Sequence, residues 1–230
     1  MNEHINKQFD VELDRIRTRV LHMGGSVETQ VLAALAATED GNLESMREIV
    51  RNDRRVDAYE VGIDEECTPS IARRQPTARD LRLVAAISRL VTDRERIGDK
   101  AAKIANKSRQ LHRSGGAGIP RLAELQDIGR LAADMLPCAR RFGTPGSDDG
   151  TADHRSRQCS RQRLQRHHAP TDYRHEGRST HDRRGIGIVW IAKAIERIGD
   201  HATHIAESIV YIGSGEDIRH AANLITKTEN

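Results

Sequence analysis

From Phe9 onward, apolar residues recur at Phe9, Leu13, Ile16, Val20, Met23, Val27, Val31 and Leu35. Steps of three and four draw one stripe down a long helix. The stripe ends near Glu39 and Asp40, where Gly41 and Asn42 break the helix. A second pattern runs through Leu43, Ile49, Val56, Ile63, Cys67 and Ile71 until Pro76 stops it. Thr77 is then placed to cap a third helix carrying Leu81, Val84, Ile87, Val91, Ile97, Ala101 and Ile104.

Three long helices with short connections predict an antiparallel bundle over residues 1–114, followed by a Gly-rich linker at 115–119. Pro120 opens a further helix with Leu122, Leu125, Ile128, Leu131 and Met135. From Pro137 to about Gly185 the pattern is lost: Arg, His, Gln, Ser and Gly dominate, and aliphatic residues are almost absent. Such a stretch cannot build a core by itself. At Ile186 helical spacing resumes through Ile188, Val189, Ile191, Ile195, Ile198, Ile205 and Ile209, and ends near Gly213, Ser214 and Gly215.

A repeat organises these elements. The run R-E-R-I-G-D-K-A-A-K-I-A at Arg94 to Ala105 returns as I-E-R-I-G-D-H-A-T-H-I-A at Ile195 to Ala206, an offset of 101 residues. One bundle plus its linker has that length. The predicted fold class is therefore all-α, two tandem three-helix bundles, with residues 120–230 as the second repeat and 137–186 irregular within it.

Composition agrees with helices: there are one Trp, two Phe and three Tyr, too few aromatics for a typical β-sandwich. The formal net charge of +3, from 37 Lys and Arg against 34 Asp and Glu, argues against a dedicated nucleic-acid binder. Cys67, Cys138 and Cys159 form no C-x-x-C pair and no disulfide framework, so a reducing cytoplasm is the expected compartment. No run reaches the roughly 18 apolar residues of a membrane span, so membrane contact is expected only through a partner.

The candidate chemistry lies in the acids. Glu95 with Asp99, and Glu196 with Asp200, stand four residues apart on neighbouring turns of one helix face. Continuing the stripe of Val84, Ile87 and Val91 lands on Glu95 and then Gly98 or Asp99, at the edge of the core. On the second helix Asp53 and Glu60 share a stripe with Ile49, Val56 and Ile63, and Asp57 follows Asp53 by four. Carboxylates gathered with restricted hydration must be protonated, paired or bound to a cation, and an all-oxygen set suits hard ions. The competing reading is surface neutralisation by Arg54, Arg94, Arg96 and Lys100. Gly98 and Gly199 cost roughly 1 kcal/mol each in helix interiors, which asks for close packing or room for an ion.

The motifs together resemble the PhoU family: M-G-G at Met23, R-Q-P-T-A-R-D-L-R at Arg74 to Arg82, both E-R-I-G-D runs, and G-E-D-I-R-H at Gly215 to His220. The resemblance covers residues 1–136 and 187–226. It implies a six-helix, two-repeat bundle whose acids hold metal, with ligands at Asp53, Asp57, Glu95 and Asp99 and, in the second repeat, Glu196 and Asp200. It also implies bound Fe, Mn, Mg or Zn and a negative regulator of the phosphate-starvation response. That regulator would be a homodimer linking the phosphate ABC transporter ATPase to a PhoR-type sensor histidine kinase. Two rivals are a metal-free dimeric scaffold and a carboxylate-bridged metalloenzyme. The second is weakened because E-x-x-H is absent from both repeats.

The family's fifth helix should supply partners for Glu196 and Asp200, but it falls inside the irregular stretch. Two readings are open: a compensated frameshift, which is favoured, and a genuine Arg- and His-rich arm for RNA or phosphate, which lacks aromatic stacking residues and interrupts a repeat. Codons chosen for Thr171 to Thr180 and read one base later give Leu-Ile-Thr-Asp-Met-Lys-Glu-Asp-Pro-Arg, a sequence resembling the end of that helix. Sequencing the gene is expected to show an extra base near Leu136 and a missing one near Gly187; in-frame codons through both junctions would dismiss the idea.

Overall fold

The computed structural model describes residues 2–74, 78–114, 122–139 and 183–215. Its described elements are all helices: α1 (Asn2–Asp40), α2 (Leu43–Arg74), α3 (Ala78–Arg113), α4 (Leu122–Ala133), α5 (Leu136–Ala139) and α6 (Arg183–Ser214). The irregular stretch lies outside the described residues except at its ends, where α5 covers Pro137 and Cys138 and α6 starts three residues before Ile186. The linker at 115–119, Pro76, Thr77, Cys159 and most of the G-E-D-I-R-H motif also lie outside them.

The first stripe is the core side of α1, since all eight of its residues, Phe9 to Leu35, are buried. Gly41 stops α1 because its φ of 68° suits glycine. The Asn42 amide then bonds back to the Ala37 carbonyl at 3.2 Å. The Asn42 side chain caps α2 by accepting from the Ser45 amide at 3.0 Å. This tight turn sets α2 antiparallel to α1: Arg15 and Arg19 near the start of α1 both meet Glu66 near the end of α2. α3 runs back beside α1, with Thr38 and Ser108 hydroxyls bonded at 2.9 Å in the interior.

α2 continues through Pro69 to Arg74. Proline removes the amide bond to the carbonyl four residues earlier. Nearby hydroxyls of Thr68 and Ser70 bond the Asp64 and Glu66 carbonyls, each at 3.0 Å.

α6 lies against α3, the most extensive contact among the described helices, while α4 lies against α1 and α6. Gln126 of α4 donates to the Leu35 carbonyl at 2.9 Å. Ile191, Ile195, Ile198 and Ile205 of α6 join the same apolar cluster as Ile87, Val91 and Ile97 of α3, so one core crosses the boundary between the repeats. Ile71, Leu81, Leu131, Ile186 and Val189 carry the right periodicity yet stay exposed. Periodicity marks a face but not whether a neighbour reaches it.

Arg94 departs most from expectation. Rather than neutralising acids at the surface, it is 2% exposed and donates to the Val20 carbonyl. Burial pushes its pKa down to about 10. A Cβ at Gly24 would sit 3.2 Å from the guanidinium carbon, so the M-G-G run provides the seat for the arginine of R-E-R-I-G-D. The matching residue in the second repeat, Ile195, is also buried, which marks the position as core in both copies.

At the far end of the bundle, burial pushes the Glu66 carboxyl up, but hydrogen bonds from Arg15 and Arg19 outweigh this and hold it below its ordinary 4.5. A depressed folded-state pKa gives stability that is present above the unfolded value and is lost as pH falls through the folded one. Glu66→Gln is expected to melt up to about 3 °C lower than the parent at neutral pH. The two melting curves should converge below about pH 4.5; a gap that persists there would assign the clamp to packing instead.

Candidate metal centre

Asp53 and Glu95, from α2 and α3, are both half-buried where the two helices meet. Gln30 of α1 reaches across, donating to Asp53 Oδ1 at 3.0 Å and to the Gly98 carbonyl at 3.4 Å. Gly98 makes this approach possible. A Cβ there would lie 3.2 Å from Val56 Cγ1, 3.4 Å from Asp53 Oδ1 and 3.5 Å from Gln30 Oε1.

Burial raises the Asp53 carboxyl; the Gln30 hydrogen bond opposes this, and the charges of Asp57 and Asp99 push it further up. Burial also raises Glu95, followed by repulsion from Glu60, Asp99, Asp57 and Asp53. The acids therefore act on one another as a group. Asp99 differs: burial pushes it up, but hydrogen bonds from Lys103 at 2.7 Å and Lys100 at 3.2 Å hold it below its ordinary value. Of the expected neutralising residues, Lys100 is thus engaged, whereas Arg54 and Arg96 are exposed. Asp57 is exposed as well, although its charge still reaches Asp53 and Glu95.

In the second repeat Glu196 is exposed, and half-buried Asp200 meets Arg197 at 3.5 Å. The helix expected to bring their partners lies outside the described residues. Gly199 is buried and its carbonyl accepts from Thr203 at 3.0 Å.

Among the described residues, the group of three potential metal ligands with donor atoms all within 4.8 Å of one another is Asp93, His201 and His204. Sequence reasoning missed it, because Asp93 lies 108 residues from His201 and obeys no local spacing. The signal available was the contrast between the repeats, with His201 and His204 standing where the first copy has Lys100 and Lys103. Burial pushes Asp93 up, but the hydrogen bond with His201 at 2.9 Å and the nearby imidazole of His204 at 3.7 Å hold it below the usual carboxylate range. The same contact raises His204.

The acids of the α2–α3 face stand further apart than that triad. Their all-oxygen chemistry and mutual repulsion fit a hard cation held partly through water, since Mg²⁺ keeps several waters and takes one or two carboxylates. Of the four acids on this face, Asp53 and Glu95 are the two whose charged forms burial and repulsion disfavour, which is the state a bound cation would relieve. Buried Cys67, whose thiol burial and nearby Asp64 and Glu66 push up to about 11, is poorly suited as a soft ligand or nucleophile.

The fold and site define an all-helical bundle protein built on an internal sequence repeat, with an acidic face between two helices of the first copy. The PhoU domain model matches residues 20–108 and 149–209, and the chain belongs to the PhoU family. It is 36% identical over 224 residues to a phosphate-specific transport system accessory protein PhoU homolog from Burkholderia sp, covering 96% of this chain and 94% of that one. It is 38% identical over 232 residues to the accessory protein PhoU of Serratia marcescens, covering 96% and 90%. The crystal structure of PhoU from Pseudomonas aeruginosa superposes with a TM-score of 0.73 at 34% identity, over 90% of this chain and 100% of that one. A Streptococcus pneumoniae PhoU structure, at 24% identity and a TM-score of 0.69, shares the fold.

Proposed function

We propose that this chain is a regulatory accessory protein of a phosphate transport system, acting by contact rather than by catalysis. It would restrain the phosphate-starvation response and phosphate uptake as a cytoplasmic homodimeric adaptor between the transporter's ATPase and a PhoR-type sensor histidine kinase. The observation that carries this reading is the end-to-end match to curated accessory proteins, 96% of this chain against 94% of the Burkholderia relative. Two further features support it. The long helices present charged outer faces suited to docking against other helices, and no described helix is long and apolar enough to cross a membrane.

In this reading the acids Asp53, Asp57, Glu95 and Asp99 hold a divalent ion, Mg²⁺ or Mn²⁺ before Fe or Zn, that fixes the relation of α2 to α3. Such an ion is structural or regulatory. Glu196 and Asp200 would contribute a second site once joined by acids from the family's fifth helix.

Co-purification tests the adaptor role. The untagged chain is expected to elute with the tagged ATPase and with the cytoplasmic part of the kinase, and light scattering of the chain alone to give a dimer. Elution apart from both partners would contradict the adaptor reading.

A further inference from the structure

The two copies of the repeat differ reciprocally where they meet. The first copy carries Asp93, whose counterpart 101 residues later is Ala194; the second carries His201 and His204, whose counterparts are Lys100 and Lys103. In the first copy those lysines turn to Asp99 of their own helix. In the second copy the two histidines turn to Asp93 of the other repeat, with Nδ1 atoms 2.9 and 3.7 Å from the same carboxylate oxygen.

We propose that Asp93, His201 and His204 form a site for a borderline divalent transition ion, with Zn²⁺ as the type case, that staples α3 to α6. The spacing of three puts both imidazoles on one face of α6, and α3 brings the carboxylate from the facing helix. Ligands about 2.0–2.1 Å from a tetrahedral Zn²⁺ lie roughly 3.3 Å from one another. The observed 2.9 and 3.7 Å bracket that value, and all three donor atoms lie within 4.8 Å of one another. Two neutral nitrogens and one carboxylate select zinc, cobalt or nickel over magnesium or calcium.

Burial favours the same reading. His201 is 7% exposed and Asp93 is mostly covered, so two ligands are already fixed. His204 is half-open at the rim. A cleft of about 750 Å³, lined by Thr92, Asp93, Arg96, Asp200 and His204 among others, gives the ion a route in and leaves a fourth coordination position for water. This site differs in place and ligand chemistry from the all-oxygen face of α2 and α3, and does not depend on the regulatory reading.

The test uses the untagged full chain, stripped with chelator and titrated with Co²⁺ and then Zn²⁺ under excess Mg²⁺ to saturate the all-oxygen sites. The parent is expected to take up one Co²⁺ per chain with tetrahedral visible absorption that Zn²⁺ displaces. His204→Gln, at the open rim, and Asp93→Asn are each expected to weaken binding on the order of 10-fold or more. Should Asp93→Asn fail to fold, His204→Gln decides alone. The absence of Co²⁺ uptake by the parent, or uptake unchanged in His204→Gln, would overturn the site and leave an ion pair only.

Discussion

Arg94→Ala is expected to lower stability by roughly 3 kcal/mol or more, as for other large buried side chains truncated in a core. In a chain of this size that is a fall in melting temperature of about 6–12 °C. The cause is the position of the side chain. It fills a space among α1 and α3 walled by the bare backbone of Gly24, and its guanidinium bonds the Val20 carbonyl. Removing it opens a cavity and unmakes that bond together. Arg96, two residues on, is exposed, so Arg96→Ala should stay within about 0.5 kcal/mol of the parent. Thermal unfolding of the two variants checks the assignment. Equal melting temperatures would return both arginines to the surface role that their charge suggests.

The second large effect concerns the acids of α2 and α3. Burial and mutual repulsion raise the pKa of Asp53 and of Glu95, so the folded state disfavours their charged forms and becomes more stable as pH falls toward the carboxylate range. The isosteric double variant Asp53→Asn/Glu95→Gln removes that penalty. Without divalent ions it should melt a few degrees above the parent, about 2–4 °C for each 1 kcal/mol regained. The amide that replaces the Asp53 carboxylate would still present an oxygen to Gln30, so the packing at Gly98 need not change. Mg²⁺ or Mn²⁺ at about 100 times its dissociation constant should stabilise the parent by about 2.7 kcal/mol, and the variant hardly at all. Calorimetric scans with and without chelator measure both. A variant that melts lower when metal-free, or that gains as much as the parent from the ion, would contradict the site.

Much of this was legible because helices repeat. The eight apolar positions of α1 mark its buried side without a miss, and the recurrence of E-R-I-G-D exposes the duplication before any coordinates. The four-residue spacing of Asp53 and Asp57 was a weaker guide. A step of four overshoots one turn by about 40°, enough to carry Asp57 to the solvent side while Val56 takes the core side. Arg94 was hidden by its residue type, since charge outweighs position when a pattern is read from a single sequence. Only the contrast with Ile195 pointed inward. The Asp93–His201 contact was beyond any local rule, because it joins positions 108 residues apart whose meeting depends on how α6 lies against α3. Pro69 marks the opposite limit: a residue type that ordinarily ends a helix sits within α2.

The regulatory account is tested most directly by a phosphate-starvation promoter reporter in bacteria that lack their own member of the family. In phosphate-rich medium, expression of this chain is expected to return the reporter to its repressed level, and Asp53→Asn/Glu95→Gln to leave it partly active. A reporter that stays fully on while the parent chain accumulates as folded protein would contradict the account.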